Sequence, residues 1–256
     1  MARRIVPRRL RPEEEATLVE HLSELRHRLV ICLFAIVPAF ALTYVFHSTL
    51  IGWLKELLPP GTPLVTLGVT EPFLTSLKVS FYAALAITLP IVLWQVWAFL
   101  APAIGESVQR VIGIFVVAST GLFAGGVAFC YFIILPKALS FLVDYDSQLY
   151  EGQIRASYYL SFVAVTLLAT GIAFQMPIFI LALVRLGVVT SDKLRRNRRY
   201  GMVGMLAFAV LLPTVDPVSL VLEVAPLLVL FELSIWLSVF MERRWERSLL
   251  DSYELS

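Results

Sequence analysis

The sequence predicts an all-α membrane protein with six transmembrane helices, both termini in the cytosol, short fifth and sixth spans, and structured loops capping the outer face. Three observations predict it. The 256 residues are 59% hydrophobic with a mean hydropathy of +0.82, where a soluble domain is roughly 45–50% apolar. The apolar runs are long and separated by short polar stretches. The charges are also unevenly spread: the net charge is only +2, yet seventeen of the 21 Lys and Arg fall before the first run, in Ala101 to Arg110, in Arg185 to Arg199 and after Phe240. Lys55, Lys78, Lys137 and Arg155 make up the other side. Basic residues are retained on the cytosolic side, so this split places both termini there. With no low-complexity linker and no visible internal repeat, residues 1–256 read as one integral domain. Residues 1–29 form a basic tail and a cytosolic interfacial helix, 30–240 the six spans, and 241–256 a charged cytosolic tail.

In chain order, Arg3-Arg4 and Arg8-Arg9 are followed by polar residues rather than an apolar core, so they are expected to form a solvated tail and not an export leader. Pro12 with Glu13, Glu14 and Glu15 suits a helix start. Leu18, Leu22, Leu25 and Leu29 then form one apolar stripe at helical spacing, with Glu20, Glu24 and Arg28 sharing a neighbouring face. The first span is expected over Val30 to Phe46, with Pro38 as a kink. The outer loop from His47 to Lys78 contains an amphipathic helix over Leu50 to Leu58, a break at Pro59-Pro60-Gly61, an extended stretch from Pro63 to Val69 and a helix start at Thr70-Glu71-Pro72.

The second span runs from Val79 to Leu100 and the third from Val111 to Leu135, where Gly121, Gly125 and Gly126 permit close helix contact. Pro136 to Ser157 reads as a second outer loop, and Tyr158 to Val184 as the fourth span, interrupted in character by Gln175 and Pro177. Only Tyr200 to Val215 is free of charge before Asp216; at 1.5 Å per residue this rises roughly 24 Å, against a hydrocarbon core of about 30 Å. The sixth span covers Pro217 to Phe240 and contains Glu223 and Glu232.

Hydrolytic chemistry has no foothold. His21, His27 and His47 all lie near or before the ends of the first span, and no nucleophile elbow, zinc-protease motif or phosphate-binding loop is present. Cys32 and Cys130 sit inside apolar runs and read as buried small side chains, not as a metal site or disulfide. No cofactor, no metal, no catalysis and no nucleic acid are expected. The polar residues within apolar runs carry more information, because a carboxylate at the bilayer centre costs about 2.5–3.5 kcal/mol on insertion. Glu232 is expected at the depth of Tyr200 near the interface, and Glu223 seven residues past the turn, within reach of water if the hairpin thins the bilayer. Gln175 is open to two readings: a partner for the carbonyl that Pro177 frees, or a polar contact for another chain's helix or a lining water. Glu24, Arg26 and Glu106 at the cytosolic face are either solvated charges or the means of capturing an arginine pair.

Several blocks together resemble one family. They are His21-Leu22-Ser23-Glu24-Leu25-Arg26-His27-Arg28-Leu29, Glu71-Pro72-Phe73, Gln95-Val96-Trp97-Ala98-Phe99-Leu100-Ala101-Pro102-Ala103, Phe174-Gln175-Met176-Pro177, Asp216 with Ser219, and Phe231-Glu232. In this order the chain is similar, over nearly its whole length, to the TatC family, the six-span core of the twin-arginine protein translocase. The resemblance implies a receptor in the bacterial inner membrane for twin-arginine signal peptides of folded precursors. It further implies assembly with single-span TatA and TatB partners as homo- and hetero-oligomers, driven by the proton-motive force. By similarity Glu24 and Arg26 are signal-recognition positions, Phe99 and Pro102 shape the adjoining turn, and Gln175, Asp216 and Glu232 are membrane-embedded polar or partner-contact positions. Val108 stands where relatives commonly carry glutamate, so either Glu106 acts as the second carboxylate or the leader is held differently. The rival from another class is a small ion-coupled transporter using Gln175, Glu223 and Glu232; a packing scaffold is the third reading.

Overall fold

The structure, a computed structural model, describes residues 18–104, 109–145, 147, 149, 153–185, 187–213 and 216–254. Helix α1 runs from Leu18 to Val45 without a break, so the interfacial segment and the first span are one rod. Leu22, Leu25 and Leu29 of its apolar stripe are exposed to the surroundings, as are Leu33, Phe34 and Val37 further along. In a soluble protein such a surface would aggregate; in a membrane it is the lipid-facing side. The opposite side packs along α3, where the Thr43 hydroxyl donates to the Ser80 carbonyl at 2.8 Å.

The cap contains the helix, break and extended stretch that the sequence predicts, with shifted boundaries. Helix α2 covers His47–Lys55, and the Pro59-Pro60-Gly61 break turns through Gly61 at φ +87°. Strand β1, Leu64–Val65, pairs in parallel with β2, Ile154–Arg155, joining the two outer loops. Helix α3 then runs Glu71–Ile104. The expected loop to Lys78 is therefore too long: the start at Thr70-Glu71-Pro72 is real, and nothing between it and Val79 breaks the helix.

The third span is α4, Gln109–Phe129, continued by a π-helical turn at Cys130–Ile134 and by α5, Leu135–Asp144. Pro136 supplies no N–H and crowds the carbonyl four residues back, and the widened turn accommodates it. The segment read as a loop from Pro136 is thus helical for its first half. The fourth span is α6, Ala156–Ala173, and α7, Met176–Arg185, separated at Phe174-Gln175 because Pro177 interrupts the bonding ladder. A turn through Gly187, φ +71°, leads to α8, Ser191–Arg196, capped by the Thr190 hydroxyl, which accepts from Lys193 N–H at 3.3 Å. Helix α9 is Arg198–Val210, shorter and earlier than the expected Tyr200 to Val215. Helix α10 runs Pro217–Glu254, taking the predicted tail into the same helix; the sixth span is not short. Asp216 Oδ1 accepts from Ser219 N–H at 2.7 Å, which satisfies one of the open donors at the start of α10.

Among the described residues five stretches are long and apolar enough to cross a membrane: Leu22–Val45, Glu71–Phe99, Gly113–Asp144, Ala156–Arg185 and Pro217–Met241. The 13 residues of α9 rise only about 20 Å. Among the described residues the buried core falls into four groups, the largest under the cap; two others centre on Trp97 with Val116, Ile178 and Ala182, and on Ala173 with Ala209, Leu212 and Leu227. Under the cap, Leu54, Leu58, Val79, Cys130, Ile134, Leu135 and Tyr159 pack together, and the Tyr159 hydroxyl donates to the Leu54 carbonyl at 2.7 Å. Around α7, α9 and α10, Ile180, Met205, Phe231 and Ile235 form the remaining group.

Candidate functional site

The residues expected at the cytosolic face gather where α1 begins and α3 ends, at the end of the bundle opposite the cap. Glu24 and Arg28 are four residues apart on α1, so their side chains meet on one face. Both the Nε and one Nη of Arg28 donate to Glu24 Oε1, the Nε at 3.0 Å. The same guanidinium reaches α3: one Nη donates to Gln95 Oε1 at 3.2 Å and the other to the Ala98 carbonyl at 3.2 Å. Side-chain exposure is 21% for Arg28 and 33% for Glu24, so water reaches the pair. Arg26 projects outward and is exposed, and Phe99 is half-buried on α3 one residue past Ala98. Pro102 lies within α3. Glu106 and Val108, with the amino-terminal tail, lie outside the described residues. The structure therefore brings Glu24 together with Arg28 and Gln95. Both stand in the resembling motifs, yet the sequence reading gave neither a role; the i, i+4 spacing was the available signal for Arg28, and none existed for Gln95.

Among the intramembrane polar residues, Gln175 sits at the break between α6 and α7 and donates from Nε2 to the Ser119 carbonyl of α4 at 3.1 Å. Its partner is a carbonyl on another helix of this same chain, where the sequence predicts a carbonyl freed by Pro177 or a contact to another chain or a water. Ser119 is fully buried, and its hydroxyl accepts from Trp97 Nε1 at 3.3 Å, so α3, α4 and the α6–α7 break meet at one serine. Trp97 also stacks on Phe115 with ring centroids 4.5 Å apart. Glu232 pairs with Arg198 at the start of α9, which fits its expected depth beside Tyr200. Glu223 departs from expectation: it is 1% exposed, within the packed bundle instead of within reach of water. Asp216 is 4% exposed and serves as the helix cap already described.

At the cap, Glu71 is buried and accepts three bonds: from Arg155 Nε at 2.9 Å, Leu67 N–H at 2.8 Å and Ser157 N–H at 3.3 Å. The bond to Glu71 holds the Arg155 guanidinium above its ordinary pKa. This carboxylate locks the β1–β2 pairing from below. Among the described residues no group of three or more His, Cys, Asp or Glu is arranged to hold a metal ion.

Long apolar helices with lipid-facing exteriors, polar cross-links between spans and a charged pair at one end define a multi-pass α-helical membrane protein. The family model for "Sec-independent protein translocase protein (TatC)" matches residues 20–226. The chain is 34% identical over 233 residues to the Escherichia coli K12 Sec-independent protein translocase protein TatC, covering 89% of this chain and 90% of that one. It is 35% identical over 227 residues to the chloroplastic TATC of Arabidopsis thaliana, covering 88% and 67%. The crystal structure of the twin-arginine translocase receptor TatC in DDM superposes with a TM-score of 0.76 at 34% identity, covering 86% of this chain and 99% of that one. The chain belongs to the TatC family of Sec-independent protein translocase components.

Proposed function

We propose that this chain is the receptor and core subunit of a twin-arginine translocase, not an enzyme, and that Glu24 captures a guanidinium of the leader's arginine pair. The observation that carries the reading is that Glu24 already accepts an arginine guanidinium, on a half-exposed face at the end of the bundle. A carboxylate that meets a planar donor fork with both of its oxygens recognises arginine over lysine, whose single ammonium is a point charge. Arg26, Phe99 and Pro102 are assigned to leader recognition in this reading, with Glu106 as the candidate second carboxylate. In this reading α9 crosses the membrane as a sixth, short span, both termini are cytosolic in the inner membrane, and the bilayer thins around α9. Single-span TatA and TatB subunits join it in homo- and hetero-oligomers around Gln175, Asp216 and Glu232, and the proton-motive force drives export. The transporter alternative loses support, since it needs Glu223 beside a polar path and Glu223 is 1% exposed inside the packed bundle.

Binding of a synthetic twin-arginine leader to the full chain in nanodiscs tests the proposal. Glu24→Gln is expected to weaken binding roughly tenfold or more, in line with loss of a charge-assisted bidentate contact, and to leave membrane insertion intact. Equal binding of twin-arginine and twin-lysine leaders to the unaltered chain would overturn it.

A further inference from the structure

We propose that Arg28 is an internal occupant of the Glu24 carboxylate, a guanidinium that an incoming arginine must displace before the leader seats; the inference rests on the reading of Glu24 as the arginine-binding carboxylate. Arg28 carries the same chemical group as the proposed cargo, so the two compete for one acceptor. The resident contact is also the weaker arrangement. Both of the bonds that Arg28 gives to Glu24 fall on Oε1, whereas a guanidinium approaching in fork-to-fork register engages both carboxylate oxygens with parallel bonds. With side chains 21% and 33% exposed, the resident pair is partly covered but reached by water, which screens its attraction relative to a fully buried pair.

Displacement also leaves Arg28 somewhere to go. Its bonds to Gln95 Oε1 and to the Ala98 carbonyl, each 3.2 Å, do not involve Glu24 and keep the guanidinium docked against the end of α3. Gln95 and Ala98 thus hold Arg28 after Glu24 is surrendered, which lowers the cost of the exchange. Because the binding-competent fraction is the fraction of Glu24 released by Arg28, the resident contact raises the apparent Kd by the reciprocal of that fraction. Arg28 is an affinity-setting residue that acts through Glu24.

Leader affinity for the full chain in nanodiscs, measured by fluorescence anisotropy with a labelled twin-arginine peptide, tests this. Arg28→Gln is expected to tighten binding roughly two- to fivefold, the scale of an exposed ion pair. A gain of affinity cannot arise from a damaged site. Arg28→Lys keeps the charge but loses the fork, and is expected to tighten binding by a smaller factor. Unchanged or weaker binding in Arg28→Gln overturns the inference. Tightening in Arg28→Gln with Arg28→Lys equal to the unaltered chain also overturns it, because the effect would then be long-range repulsion. Should Arg28→Gln fail to fold, Gln95→Leu decides: weaker binding supports displacement, since Arg28 loses its second berth, and equal or tighter binding rejects it. Glu24→Gln separates the two levels. If it leaves leader binding unchanged, the site reading itself has failed; if it weakens binding while Arg28→Gln does not tighten it, only the displacement has failed.

Discussion

Two carboxylates, Glu24 and Glu71, show how burial and donor count divide the labour at the two ends of the molecule. Glu24 is 33% exposed and takes the guanidinium of Arg28 on one oxygen, where water reaches the pair, so a change of partner costs little. Glu71 is 6% exposed with one guanidinium and two backbone N–H groups bound to it, an arrangement suited to permanence. Arg155→Ala is therefore expected to loosen the cap without touching leader affinity. Amide exchange at Val65 and Ser157 should accelerate, with partial recovery in Arg155→Lys; unchanged exchange would show that backbone donors alone hold the loops. Glu71 stood out in the sequence as part of a helix start. Its partner 84 residues away carried no mark that local reasoning detects.

At the level of elements, the prolines were the most legible features and the glycines the least. Pro177 announced a weakened helix, and α6 and α7 separate there. Pro136 looked like the start of a loop, but helical hydrogen bonding continues through a π turn, because in lipid an open backbone has no water to bond with. Of Gly121, Gly125 and Gly126, all read as permitting close contact, only Gly126 does so. A Cβ there would lie 2.7 Å from the Phe174 ring and 3.1 Å from Gly171 Cα, whereas the other two face open space. Gly126→Ala should accordingly lower stability by about 1–3 kcal/mol through overpacking. Gly125→Ala should be neutral or stabilise by up to about 1 kcal/mol through helix propensity. Melting of the detergent-solubilised variants checks both, and equal melting would show that α4 and α6 can part at no cost.

At the scale of the whole molecule, the open quantity is the path of the chain across the bilayer. Four long apolar stretches, α1, α3, α4 with α5, and α6 with α7, lie between the start of α1 and α8, so the proposed topology puts both on one side. In a background lacking Cys32 and Cys130, cysteines at His27 and Asp192 should react with an impermeant thiol reagent only from the cytosol. One at the fully exposed Val69 should react only from outside. A cysteine at Leu211, 82% exposed just past α9, decides the sixth crossing: outside labelling means that α9 traverses, and cytosolic labelling reduces the count to five. A crossing by 13 residues requires a locally thin bilayer, which the flanking Arg198–Glu232 pair and the exposed Tyr200 mark at one interface.

By itself the sequence determined that this chain belongs in a membrane and roughly where its five long apolar helices lie, because those properties depend only on local hydropathy. It also exposed Glu24 as a carboxylate in a basic neighbourhood. Only the tertiary structure decided which partner each polar residue takes: Arg28 with Gln95 across 67 residues, Gln175 with Ser119 across 56, Glu71 with Arg155 across 84. Those pairings arise when distant helices stack, and a hydrogen bond that must close within about 3 Å is settled by packing, which no local pattern of residues encodes.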